Sequence, residues 1–195
     1  MNKIQSAGDG KPRGETDQDS RLLDLIRQRA PGAFDLLVHI HLDNVARLVH
    51  RLLGWPDAVE DVVQEVFLSV LKHLNGFRGD ASVSTWLARI TINKCREETR
   101  RRWLRQAILW RQMHQPPAQC SAVARAVETE QLGVVRQAVR RLPTALREVV
   151  VLRYLQEMPV GQICKALGLT ESAVNVRLHR ARAALKGLLV GISEE

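Results

Sequence analysis

Three groups of residues have types and spacings that could do chemistry. Near the C-terminus, Pro159 can sit in the first turn of a helix, Gly168 can supply the positive backbone angle of a tight turn, and Thr170 can cap the helix that follows. Ile163, Leu167, Leu169, Val174 and Leu178 would form an apolar seam between the two helices, leaving Asn175, Arg177, Arg180 and Arg182 projecting from the second. That is helix-turn-helix punctuation, and its arginines can read guanine edges or grip phosphate. The plainer alternative is a helical hairpin with a solvated basic face. The second group is a basic run, Arg89, Lys94, Arg96, Arg100, Arg101, Arg102, Arg105 and Arg111, set against Glu97 and Glu98. Trp103 and Trp110 lie within it, which suits phosphate contact with base stacking; equally, the indoles can pack inward. The third group is acidic. Asp57, Asp61 and Glu65 recur every four residues, with Glu60 and Gln64 on an adjoining face. Like charges at that spacing cost helix stability. A basic partner protein would compensate, and a solvated face is the ordinary alternative.

The elements that must carry these residues are helices. Gly and Pro interrupt the chain at Pro31-Gly32, Gly54-Trp55-Pro56, Gly76 to Gly79, Pro116-Pro117, Pro143 and Pro159, and the segments between show helical rather than alternating periodicity. Leu22, Leu23 and Ile26 open one helix; Phe34, Leu37, Val38, Val45, Leu48, Val49 and Leu52 form a second. Val59, Val62, Val63, Val66, Phe67, Val70, Leu71 and Leu74 mark a buried stripe on a third, from Pro56 to Leu74. A Gly- and Ser-rich loop to Val83 leads into the basic helix, capped by Ser82 or Ser84. Four further helices are expected at Glu128 to Arg141, Pro143 to Leu155, Pro159 to Leu167 and Thr170 to Leu189.

The spacing therefore predicts an all-α protein of two small helical domains joined by a flexible linker, the C-terminal one a helix-turn-helix. Residues 1–20 form a polar, disordered tail, 21–105 the first domain, 106–127 the linker and 128–191 the second domain. With 195 residues, 45% of them hydrophobic, the chain can bury two cores. Its 29 Lys+Arg against 21 Asp+Glu give a net charge of +8, which favours an anionic partner. No apolar run approaches the length of a bilayer span, so nucleic acid is preferred to a membrane, and no membrane insertion is expected. Cys95, Cys120 and Cys164 are too widely spaced for a zinc or redox pair, which fits a reducing cytoplasm. His39 and His41, two residues apart on a helix, point to different sides. No metal, cofactor, small-molecule substrate or catalytic residue is expected.

Taken in order, these motifs resemble a bacterial RNA polymerase sigma factor of the extracytoplasmic-function (ECF) type, in the sigma-70 family, from about Leu22 to Leu189. Asp61-Val-Val-Gln-Glu-Val-Phe67 is similar to the family's polymerase-docking helix. Gly76-Phe-Arg-Gly79, followed by Ser84-Thr-Trp-Leu-Ala-Arg-Ile90 and Asn93, resembles its promoter-melting segment. Leu142-Pro143, Arg147-Glu-Val-Val-Val-Leu-Arg-Tyr154 and Val174-Asn-Val-Arg-Leu-His-Arg-Ala-Arg182 resemble its C-terminal DNA-binding domain. The resemblance implies a polymerase subunit and not an enzyme. Asp57, Asp61, Gln64 and Glu65 would dock on the clamp of core RNA polymerase, the C-terminal domain lying toward the flap. The loop Gly76 to Val83 would cradle a flipped base of the minus-ten element, with Phe77, Arg78, Trp86, Arg89, Asn93, Arg96 and Arg100 contacting that DNA. Thr170, Ser172, Ala173, Asn175, Arg177, Arg180 and Arg182 would contact the minus-thirty-five element in the major groove. Flipping a base costs roughly a few kcal/mol, recovered from the pocket and from phosphate contacts without ATP. An anti-sigma protein is a further implied partner. Two departures stand out. Val83 replaces an aromatic common in the melting loop, and Pro159-Val-Gly-Gln-Ile-Cys164 is an unusual start to its helix, weakened by Gly161.

Two other functions fit parts of the sequence. A stand-alone helix-turn-helix regulator would shift duplex DNA without polymerase. An enzyme using Asp57, Asp61 and Glu65 around a metal lacks a histidine or second carboxylate cluster to complete its site.

Overall fold

The computed structural model of the chain describes residues 13–113 and 130–193. These are helical, with no strand among the described residues: α1 Arg13–Arg27, α2 Ala33–Leu53, α3 Val59–His73, α4 Val83–Met113, α5 Glu130–Arg141, α6 Thr144–Val150, α7 Val160–Leu167 and α8 Glu171–Ser193. A 3-10 turn, Pro56–Ala58, leads into α3, and another, Leu74–Gly76, leaves it. A π-helical turn, Val151–Leu155, extends α6.

Local chemistry sets several of the boundaries. Gly54 ends α2 at φ 80°, its N–H donating to the His50 carbonyl, a conformation cheap only for glycine. Ser82 starts α4: its Oγ accepts from the Thr85 N–H at 3.3 Å and its carbonyl from the Trp86 N–H at 3.0 Å. Of the two serines expected as caps, it is Ser82 that fills this role. Gly168, at φ 67°, closes α7 with its N–H on the Cys164 carbonyl. Thr170 Oγ1 then accepts from the Ala173 N–H at 3.3 Å to open α8.

Two boundaries differ from the sequence expectation. The disordered tail was expected to reach Ser20, yet α1 begins at Arg13. Leu22 and Leu23, 6% and 1% exposed, anchor this helix in a core with Ala33, Leu37, Val70, Leu74, Val83 and Leu87, and the helix continues back through the polar residues before them. The linker was expected from residue 106, yet α4 continues to Met113. No proline or glycine interrupts residues 106–113, so the backbone ladder continues although the apolar pattern fades. The tail's first twelve residues and the rest of the linker, with Cys120 and Pro116-Pro117, lie outside the described residues.

A second apolar core runs from α2, α3 and α4 into the C-terminal helices. Leu52, Leu53, Val66 and Ile92 share it with Leu142, Val149, Leu152, Ile163, Val174 and Leu178. Burial of this kind contributes roughly 25 cal/mol per Å² of apolar surface, so the two halves of the chain stabilise each other as well as themselves. Val83, expected in the base-binding loop, is 1% exposed and belongs to the first core. Leu71, expected in the buried stripe of α3, is 45% exposed.

Candidate nucleic-acid interface

The C-terminal helix pair has the geometry its punctuation predicted. Ile163, Val174 and Leu178 are buried in the seam, and Leu167 and Leu169 pack against it. Ser172, Asn175, Arg180 and Arg182 face solvent, while Ala173 and Arg177 are half-buried at the edge of the same helix. Thr170 is exposed, with its hydroxyl spent on the cap. This exposed, basic, N-terminal face is what a major-groove reader presents.

The α4 surface is different. Phe77 and Trp86 stack at a tilt, ring centroids 4.9 Å apart. Both pack partly against the first core, so each has one face committed to the protein. Arg27, which no motif singles out, braces the loop by donating to the Phe77 carbonyl at 2.7 Å and the Leu74 carbonyl at 3.3 Å. Arg78, Arg89, Asn93 and Arg100 are exposed. Arg96 is bound twice, Nε and Nη2 each 2.7 Å from a carboxylate oxygen of Glu148 on α6. That bidentate hydrogen bond raises the Arg96 pKa. Trp103 is 65% exposed on the overhanging half of α4 rather than packed inward, beside exposed Leu104, Ile108 and Leu109; the Trp110 side chain lies outside the described residues.

The acidic residues of α3 and its leading turn are partly answered within the chain. Arg101 Nη1 is 2.7 Å from Glu65 Oε1, and Lys94 Nζ is 3.7 Å from Oε2. The Arg101 hydrogen bond holds the Glu65 carboxyl below the usual range. Arg102 reaches Asp57 at 3.2 Å and lies over the Trp55 ring at 4.6 Å. Asp61 and Gln64 remain exposed, and Asp61 has no ion pair among the described residues. Leu68, one helical turn on, is 48% exposed and extends this face with an apolar residue that sequence reasoning passed over.

Where the two halves meet, Arg147 Nη1 donates to the Leu52 carbonyl at 2.7 Å and Arg51 Nη1 to the Leu155 carbonyl at 2.6 Å. Thr85 donates to Gln162 at 3.3 Å, and Lys165 to the Asp80 carbonyl in the loop before α4 at 2.9 Å. Beside these contacts lies a cavity of about 300 Å³ whose lining includes His41, Leu87, Thr91, Gln156 and Met158. His41 is 6% exposed, with Nε2 3.5 Å from Asp19, whereas His39 faces solvent, so the two histidines do point apart. Among the described residues no cluster of His, Cys, Asp or Glu could hold a metal. No helix among them is long and apolar enough to cross a membrane.

Fold and surfaces together define a two-part helical DNA-binding protein whose second part is a helix-turn-helix. Residues 37–105 match the family model for sigma-70 region 2, and residues 132–185 that for sigma-70 region 4. The chain is 33% identical to the RNA polymerase sigma factor CnrH of Cupriavidus metallidurans, over 88% of this chain and 95% of that one. It is 32% identical to the ECF RNA polymerase sigma factor SigM of Mycobacterium tuberculosis, over 80% and 77% of the two chains. The solved structure of CnrH in complex with the cytosolic domain of CnrY superposes with a TM-score of 0.66 at 30% identity, covering 89% of this chain and 97% of that one. The chain therefore belongs to the ECF RNA polymerase sigma factors of the sigma-70 family, non-enzymatic factors that direct transcription by RNA polymerase.

Proposed function

We propose that this sigma factor docks on core RNA polymerase through the outer face of α3, opens the minus-ten element with α4 and its preceding loop, and reads the minus-thirty-five element with α8. The exposed Asp61, which has no ion pair among the described residues, carries the reading. It stands with Gln64 and Leu68 on a face that α4 has left uncovered, while its acidic neighbours Asp57 and Glu65 are answered from within the chain. A basic helical surface on the polymerase clamp would complete that face. Arg89, Asn93 and Arg100 are free to follow a displaced strand, and Asn175, Arg177, Arg180 and Arg182 to enter a major groove. Residues 21–105 and 128–191 then act as two weak readers whose tether supplies effective concentration, in the cytoplasm where the polymerase works. Because CnrH is solved bound to the cytosolic domain of CnrY, a protein partner is proposed for this chain as well, an anti-sigma protein in keeping with the family resemblance.

Asp61→Arg should abolish capture of core polymerase in a pull-down while leaving the helical circular dichroism signal intact; unchanged capture would overturn the docking assignment. In vitro transcription with core polymerase on genomic fragments should yield start sites only when this protein is present. A stand-alone regulator would instead shift duplex DNA by itself.

A further inference from the structure

The cavity lined by α2, α4 and the segment leading into α7 has a volume of about 300 Å³, at the lower end of the range in which small-molecule sites fall, roughly 300–1,000 Å³. None of the residues proposed for polymerase or promoter contact lines it, so it is a feature those functions leave without a use. Its walls are of two kinds. Leu48 of α2, Leu87 of α4 and Met158, all buried, give it an apolar side, and Gln156, Glu157 and Gln162 give it a polar one.

The polar side is held in a costly backbone conformation. The π-helical turn that extends α6 closes with the Gln156 N–H donating to the Val151 carbonyl at 2.9 Å, and the Met158 N–H donates back to the Leu152 carbonyl at 2.9 Å. Arg153 Nη1 donates to the Met158 carbonyl at 3.1 Å. Between these ties Glu157 adopts φ 53°, a left-handed conformation that a residue other than glycine keeps only where its surroundings impose it. Both π-helical turns and residues held in this way gather at functional sites. Here they set Gln156 and Glu157 side by side on the cavity wall.

The polar groups on that wall define what they would take. The Gln156 side-chain nitrogen is buried and has no hydrogen-bonding partner among the described residues, a condition that buried donors rarely keep. Gln162 Oε1 accepts from Thr85 at 3.3 Å, which leaves the Gln162 side-chain nitrogen to donate. Glu157 is exposed at the rim and has no ion pair among the described residues. No lysine or arginine is among the described residues lining the cavity, although the chain carries 29 of them. Two amide donors call for a carbonyl acceptor, the carboxylate for a cation, and the leucines and methionine for an apolar body. An anion would find nothing here to neutralise it and one carboxylate to repel it.

We propose that this cavity is a binding site for a small amphipathic cation bearing a carbonyl group, with Gln156 and Gln162 donating to the carbonyl and Glu157 meeting the ammonium. The probe is phenylalaninamide, whose amine is mostly protonated at pH 7 and whose ring would lie against Leu48, Leu87 and Met158. N-acetylphenylalanine is its anionic counterpart. Titrated into the full chain, phenylalaninamide should shift the side-chain amide NMR signals of Gln156 and Gln162 along one saturable curve, and bind about tenfold tighter than N-acetylphenylalanine. Gln156→Leu, close in size, should weaken binding about fivefold, the worth of one hydrogen bond. Glu157→Gln should narrow the preference for the cation to about twofold. Asn44→Trp, at an exposed position of α2 on the edge of the cavity, should obstruct it and remove the titration. Circular dichroism identifies the variants that fold as the original does, and because the three changes fall on different parts of the wall, loss of fold in one leaves the others to decide. Shifts that do not saturate, equal affinity for the two probes, or binding that persists in both Gln156→Leu and Asn44→Trp would overturn the site. Neither polymerase nor promoter DNA enters the titration, so its failure and a failure of the docking assignment are told apart.

Discussion

Helices α8 and α4 both look like DNA readers in sequence, but they hold their charges differently. On α8, Arg177, Arg180 and Arg182 have no ion-pair partner among the described residues. On α4, Lys94, Arg96, Arg101, Arg102 and Arg105 each meet a carboxylate, and only Arg89 and Arg100 of its seven described cations do not. Counting charges along α4 therefore overstates what it can offer to phosphate. On the proposed function, the α8 face meets duplex without giving up an ion pair seen among the described residues. The α4 surface is invested in α3 and α6, so the contact with DNA proposed for it would be tied to whatever engages those helices.

The contrast can be tested first at the level of packing. Ile163→Ala, at a fully buried seam position, should cost about 2–5 kcal/mol of stability and remove duplex binding by α8. Ile108→Ala, on the 58% exposed overhang of α4, should stay within about 0.5 kcal/mol. Thermal unfolding of the two variants checks the pair, and equal losses would mean that α4's overhang is as structural as the seam. Next, Arg177→Ala should weaken minus-thirty-five binding in the holoenzyme by about 1–3 kcal/mol, read from footprints at fixed salt; unchanged footprints would remove Arg177 from the reader. The smallest effect concerns pH. Burial, and then Arg140, Arg136 and Arg51, lower the His50 pKa below 6.5. The unfolded chain thus takes up a proton before the folded one, so stability is unaffected above pH 6.5 and falls as pH drops below it. His50→Gln should flatten that slope in pH-dependent melting; an unaltered slope would assign it to other groups.

Much of this was legible from local chemistry. Pro159, Gly168 and Thr170 announced the helix-turn-helix because each satisfies a backbone requirement that can be read without knowing the fold. The acidic repeat at Asp57, Asp61 and Glu65 was visible too, but its partial neutralisation by Arg101 and Arg102 was not, because those partners lie 36 and 45 residues away. Glu148 was the clearest omission. Its one sequence signal is a carboxylate placed directly before the apolar run Val149, Val150, Val151 and Leu152, where a charge must find a partner or stay unburied. Arg27 carried no signal, since bracing a loop 50 residues away depends wholly on the tertiary path. Leu71 was misplaced because a spacing of three or four also describes the edge of a buried stripe.

Cys95 gains a use from where it lies. It is 4% exposed and lines a narrow cleft with Leu52, Arg96, Thr144, Arg147 and Glu148. Burial, and secondarily Glu148, push its thiol up to about 12, so almost none of it is thiolate at neutral pH. Parting the two halves would take away Glu148 and the share of the burial that the C-terminal helices supply. The rate at which an alkylating reagent consumes this one sulfur, mapped by mass apart from Cys120 and Cys164, would then time how often the molecule breathes, with no label added.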